Sequence, residues 1–240
     1  MPRDAYSEDV LIMTSQGRYY RNCRRILRLR RYGRYKLHYE AENSGAIVYI
    51  CRHRNAIGPL ACLCVLPLGA RPWAFAPFMD PKACREHLAG YTFPITWKLG
   101  PVLSRVLAAV FGPLFAWLVC STGAIPVYRN SLKVRETYQQ SMKALEEGDR
   151  LLIFPDINYA EENGEIGALY EGFLLLEQLW NRKTGGHIQF VPVNVSVVNR
   201  TVTVGKGISF SGSRSYREEK DEVVKRIEET MDAMAKEYGA

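Results

Sequence analysis

Apolar positions along this chain fall in short runs, and most of the runs are followed by stretches with helical spacing. Residues 46–51 (Ala-Ile-Val-Tyr-Ile-Cys) are an unbroken β-prone run. An apolar segment at 56–66 follows and reads as a buried helix. The same alternation recurs further on. Strands are expected at 73–78, 124–128, 151–154, 190–197 and 201–204, and helices at 81–88, 131–147, 168–180 and 216–238. Asp80 before Pro81 has the form of an N-cap followed by a first-turn proline, and Gly148 has the form of a C-cap. In the last helix Val223, Val224, Ile227 and Met231 fall on one side, which predicts a packed face. Residues 37–42 and 46–51 read as a hairpin turning at Asn43-Ser44-Gly45, and 190–204 as a second one turning at Asn199-Arg200. Strands alternating with helices predict an α/β protein with a mostly parallel sheet flanked by helices.

Two segments stand apart from this rhythm. Residues 99–120 are the most apolar of the chain. Arg105 interrupts them, and Pro101, Gly112 and Pro113 are helix breakers. The expectation is one or two helices, buried in the core or dipping into a membrane interface, rather than a transmembrane span. Residues 18–36 hold nine basic residues and no acidic one, interleaved with Tyr, Ile and Leu, in a chain of 240 residues with net charge +7. A helix with a basic face fits them, ending near Gly33. Such a face suits an anionic partner. The expected organisation is therefore a basic, membrane-facing segment at 1–36 and one α/β domain at 37–240. Nucleic acid is not the expected partner, because the apolar 99–120 argues for lipid. The six cysteines have no zinc-ligand spacing with histidine nearby, so reduced thiols and no metal are expected. The first residues carry charge and lack a signal-like apolar core, which makes the cytoplasm the expected compartment.

The candidate chemistry lies at strand ends, where ligands of open α/β sheets gather. His53 follows the first buried run and can take a proton near neutral pH. Gly123-Ala124-Ile125-Pro126-Val127-Tyr128-Arg129 ends in a guanidinium, and Leu151-Leu152-Ile153-Phe154-Pro155-Asp156 ends in a carboxylate. If these strands are neighbours, His53, Arg129 and Asp156 meet at one rim. A base, a phosphate-binding cation and a hydroxyl-holding carboxylate suit a phosphate-bearing alcohol. Glu171-Gly172-Phe173 opens a helix nearby, and Val191-Pro192-Val193 is a further apolar strand.

The order of these blocks resembles the glycerolipid acyltransferases of the glycerol-3-phosphate and lysophosphatidate type, over about residues 46–205. That family has His-x4-Asp, Gly-x-Ile-x-x-x-Arg, Phe-Pro-Glu-Gly-Thr-Arg, a Lys-x-Gly helix start and a Val-Pro-Val strand. The resemblance implies transfer of a fatty acyl group from an acyl thioester, acyl-CoA or acyl-carrier protein, to a hydroxyl of a lysophospholipid or glycerol phosphate. His53 would be the general base, with no metal, no further cofactor and no covalent intermediate. Arg129, Asp156, Gly172, Arg54 and Asn55 would line the substrate. The site of action would be the inner, cytoplasmic face of a membrane containing anionic lipid.

Two positions depart from the family pattern. Gly58 stands where the motif has its aspartate, the carboxylate that orients the imidazole. Tyr159 stands where the family has a second phosphate-binding arginine. Restoring the carboxylate as Gly58→Asp is expected to raise activity if the turn accepts a side chain. The alternative reading is a non-catalytic lipid- or acyl-binding homologue that kept the fold and lost the relay.

Overall fold

The computed structural model describes residues 16–53, 57–128, 132–156 and 169–239. In chain order the elements are helix α1 (Arg18–Leu27), which continues as a π-helical turn (Arg28–Tyr32), then strands β1 (Lys36–Tyr39) and β2 (Ile47–Cys51), helix α2 (Ile57–Val65), strand β3 (Ala70–Phe75), helix α3 (Pro81–His87), helix α4 (Pro101–Ser121), strand β4 (Ile125–Val127), helix α5 (Val134–Glu146), strand β5 (Arg150–Ile153), helix α6 (Leu175–Thr184), strands β6 (Gln189–Ser196) and β7 (Thr201–Val204), and helix α7 (Tyr216–Tyr238). The strands form one sheet in the order β1-β7-β6-β2-β5-β3-β4. Among the strands of the described residues only β6 and β7 pair antiparallel, so β1 and β7 run against the other five. This is the mostly parallel α/β sheet that the alternation predicts.

Burial explains the order. Every residue of β2 is buried, so this strand needs a covered neighbour on each side and a covering layer on each face. Val48 and Ile50 enter one apolar cluster with Phe173, Leu176, Phe190 and Ile227, under α5, α6 and α7. Tyr49 and Cys51 point into the opposite cluster with Ala61, Cys62 and Val193, under α2 and the α1 arm. The strand β1 is mostly exposed and sits at the sheet edge.

Two expectations are corrected here. The 37–51 hairpin does not form. Instead β1 pairs in parallel with β7, two strands away from β2. Gly45 has positive φ and does reverse the chain, but a polar strand cannot flank the most buried one. The connecting loop is pinned elsewhere: the Asn43 amide donates to Gly205 O at 3.0 Å and accepts from Gly207 N–H at 2.8 Å. The second correction is α4, which is one helix of 21 residues with Pro113 inside it. Pro101 starts this helix rather than breaking it. It is buried only along Ser104, Ala108, Gly112 and Ala116, a four-residue-spaced stripe set against α3, and is not a core helix.

Other readings stand. The Asp80 side chain accepts from Ala83 N–H at 2.7 Å, capping α3. The β6–β7 hairpin closes with Ser196 opposite Thr201.

Candidate functional site

The pairing of β2 with β5 sets Ile50 opposite Ile153. Three residues beyond each lie His53 and Asp156, at the carboxyl ends of adjacent parallel strands. They touch: the Asp156 carboxylate accepts the backbone N–H of His53 through Oδ2. Its other oxygen faces Arg52 Nη1 at 3.5 Å, and Arg52 Nη2 reaches Asp232 Oδ1 on α7 at 3.1 Å. The chain Asp156–Arg52–Asp232 therefore ties the turn after β2 to the turn after β5 and to α7. The His53 ring stands edge-on to Phe154, 5.6 Å between centroids. Phe154 is the residue just past β5, so the Phe-Pro-Asp block supplies both the wall and the clamp of the histidine.

The carboxylate that reaches His53 from elsewhere in the chain thus meets its main chain. It fixes where the residue sits. A charge-assisted bond of this kind from a carboxylate to a backbone N–H contributes about 1.5–3 kcal/mol.

Gly58 opens α2 directly behind His53. Its N–H donates to His53 O at 3.2 Å. A Cβ built there would lie 2.3 Å from Arg52 O and 2.8 Å from His53 O. Glycine at this position is a packing requirement, and a close approach of backbone to backbone is what demands it. The φ of Gly58 is not positive, so handedness plays no part. An aspartate has no room here, and the expected gain from Gly58→Asp is withdrawn on this geometry.

Beyond Asp156 the chain is described again from Leu169, which bridges back to Asp156; Tyr170 N–H donates to Pro155 O at 2.7 Å. Gly172 follows in a short 3-10 turn (Glu171–Leu174). A Cβ on it would lie 2.4 Å from the Tyr170 ring, and its carbonyl accepts the Tyr138 hydroxyl at 2.8 Å. Gly172 is thus engaged by packing and by its backbone, close to the rim that holds Asp156.

Arg129, Arg54 and Asn55 lie outside the described residues. The strand that leads to Arg129 is β4, which is not a neighbour of β2: β5 and β3 intervene. Three strand spacings of about 4.8 Å amount to roughly 14 Å. The expected three-strand adjacency is therefore corrected to a pair, β2 and β5. Cys51, two residues before His53, is 1% exposed. Its thiol lies 3.6 Å from the Cys62 thiol, inside the apolar cluster under α2. Among the described residues no group of three His, Cys, Asp or Glu side chains converges as a metal site.

In the sequence Arg52 stands out only as a cation that could supply positive charge at the site in place of the missing motif arginine; sequence reasoning missed its pairing with Asp156 and Asp232, and Asp232 itself. Asp232 directly follows Met231, the last residue of the predicted apolar face of α7. A carboxylate at the border of a packed face is the available signal, but its partner lies 180 residues away.

These features define an α/β protein with a histidine and a carboxylate at the carboxyl ends of adjacent parallel strands. Comparison with family models, with curated proteins and with solved structures gives no match.

Proposed function

We propose that this protein is an acyltransferase-like enzyme that moves a fatty acyl group from an acyl thioester, acyl-CoA or acyl-carrier protein, to a hydroxyl of a lysophospholipid or glycerol phosphate. The observation that carries this reading is His53 at the carboxyl end of a central parallel strand, clamped through its main chain by the Phe154-Pro155-Asp156 block. The order of blocks from His53 to Val191-Pro192-Val193 supports it from the sequence side. In the reaction His53 takes the proton of the acceptor hydroxyl, and the oxygen attacks the thioester carbonyl carbon. The tetrahedral intermediate collapses with loss of the thiolate, which regains a proton from the imidazolium. Thioesters are more reactive than amides, so a base of modest strength suffices.

The membrane part of the reading rests on α4. Val102, Val106, Val110, Phe111, Leu114 and Trp117 are all exposed on it, an apolar surface of the kind that marks an interaction site. The helix is long and apolar enough to cross a bilayer by length and composition alone. Its packing favours an interfacial position instead. Gly112 lies against the Arg85 backbone of α3, and Lys82, Arg85 and Glu86 of α3 are exposed. A spanning α4 would carry those charges into hydrocarbon, at about 2.5–3.5 kcal/mol for each basic one. The basic α1 adjoins the same helix, with Tyr19 stacked on Trp117 at 4.0 Å. A peripheral protein at the inner, cytoplasmic face of an anionic membrane fits this arrangement.

The test is release of free thiol from acyl-CoA or acyl-carrier protein, with lysophosphatidate or glycerol 3-phosphate as acceptor and anionic vesicles present. Slow turnover that His53→Ala abolishes is expected; turnover untouched by His53→Ala would overturn the mechanism. The non-catalytic lipid-binding reading has its own observation, the backbone contact that excludes a carboxylate at position 58. Lipid binding without thiol release would favour it.

A further inference from the structure

A groove of about 1280 Å³ runs along the α1 arm and reaches the β6–β7 turn. Eight arginines line it, seven from the arm and Arg200 from the turn, and no Asp or Glu does. Arg21, Arg25, Arg28, Arg31, Arg34 and Arg200 are all exposed. None of these six forms an ion pair with a carboxylate among the described residues.

This is no loose basic tail. Tyr20 and Tyr32 are buried, 5% and 3% exposed. The Tyr20 hydroxyl donates to Leu63 O at 2.6 Å. Arg24 donates through Nε to Leu63 O and Cys64 O and through Nη2 to Leu66 O, covering the carbonyl end of α2. One arginine is thus used as a helix cap, which fixes the arm that carries the others. Helical spacing then sets like charges four apart, as in Arg21 and Arg25, an arrangement that destabilises a helix unless an anion offsets it. Guanidinium groups in such number and fixed on a scaffold match clustered phosphates, each taken by a planar fork.

We infer that this groove binds a phospholipid headgroup bearing more than one phosphate monoester, at the membrane surface on which α4 lies. Leu29 lines the groove and is 80% exposed. An apolar side chain held out among arginines fits the lipid side of a headgroup better than a free polyphosphate. The inference rests on the membrane part of the function proposed above and is independent of acyl transfer.

The test compares binding of the full chain to two sets of vesicles of equal total charge. One set carries phosphatidylinositol bisphosphate and the other phosphatidylserine. The bisphosphate vesicles are expected to bind at least about twenty-five-fold more tightly, as two or more arginines engage one headgroup at about fivefold each. Arg28→Gln with Arg200→Gln should erase that preference. Lys225→Gln with Arg226→Gln on α7 removes the same charge away from the groove and should leave it. Arg200→Gln alone, in a turn, keeps the test valid if the double variant unfolds. Equal binding at matched charge, with binding to both sets intact, would overturn the groove and spare the membrane reading. So would a preference that survives Arg200→Gln and the double variant. Displacement by soluble inositol polyphosphate at the affinity of the lipid itself would overturn the lipid as the ligand's source.

Discussion

Position 58 has room for a hydrogen atom and little else, because two backbone carbonyls face it at 2.3 and 2.8 Å from a Cβ. Such atoms cannot swing aside as a side-chain tip would. Gly58→Ala is therefore expected to lower stability by about 1–3 kcal/mol, the usual cost of overpacking. It should also shift the His53 turn. Urea denaturation of the variant checks the first, and the thiol-release rate the second; a variant as stable as the parent would mean that the turn relaxes. Cysteine reactivity reads the same core from another side. Burial pushes the Cys64 and Cys84 thiols up to about 11, and Cys51 and Cys62 are 1% and 0% exposed. At pH 8 Cys64 and Cys84 should stay protonated, and all four thiols, being covered, should be slow to react, while the exposed Cys120 is labelled first. Mass mapping after a short maleimide pulse checks this, and fast labelling at Cys64 or Cys84 would contradict the packing. His53 and Asp156 are legible at this scale as strand-end residues. That the carboxylate meets a main-chain N–H is not, since sequence pattern carries side-chain chemistry and no geometry.

The elements show where pattern stops informing. Strands β2, β4, β5, β6 and β7 are legible because each is a short apolar run with turn residues after it. Pairing is not. The Asn43-Ser44-Gly45 turn has hairpin chemistry, yet β1 is too polar to lie beside β2 and joins β7 at the edge. Burial of both faces, a property of the assembled sheet, decides it. The helix α4 misleads differently. Its prolines and glycine have the look of breaks, while the structure uses Pro101 as a start and Gly112 as a contact. A Cβ on Gly112 would lie 2.8 Å from Arg85 Cα. Gly112→Leu should therefore push α3 and α4 apart, lower the melting temperature by several degrees for a cost of about 1–3 kcal/mol, and leave the exposed face of α4 intact. Vesicle binding by the folded variant should persist. Loss of binding without loss of stability would mean that the apolar face is not what meets the lipid.

At the scale of the whole molecule, polar chemistry and apolar exposure are segregated. The rim with His53 and Asp156 belongs to the carboxyl ends of β2 and β5, whereas α4 lies beyond the far strand pair, joined through β3 and β4. The arm α1 runs from α4 to the opposite edge of the sheet. It begins where Gly17 N–H donates to Ser121 O at the end of α4, 2.8 Å away, and its continuation leads to the sheet edge at β1. The basic and apolar segments that stand apart in the sequence are thereby brought into contact through Tyr19 and Trp117. The four tryptophans sample this division. Trp97 and Trp117 are 61% and 57% exposed, on α4 or just before it. Trp73 and Trp180 pack against the core under α5 and α6, and Trp73 also donates to the Ser141 hydroxyl at 2.9 Å. If α4 lies in the interface with its apolar side down, bromine atoms on the acyl chains will quench Trp97 and Trp117 and spare the other two. Single-tryptophan variants, with the other three changed to Phe, separate the signals. Raised salt should weaken quenching on anionic vesicles, because the attraction of arginines to headgroups is screened beyond about 10 Å at 0.1 M. Quenching of Trp73 or Trp180 at the level of Trp117 would contradict this orientation, and quenching of Trp117 on neutral vesicles as strong as on anionic ones would remove the arginines from the account.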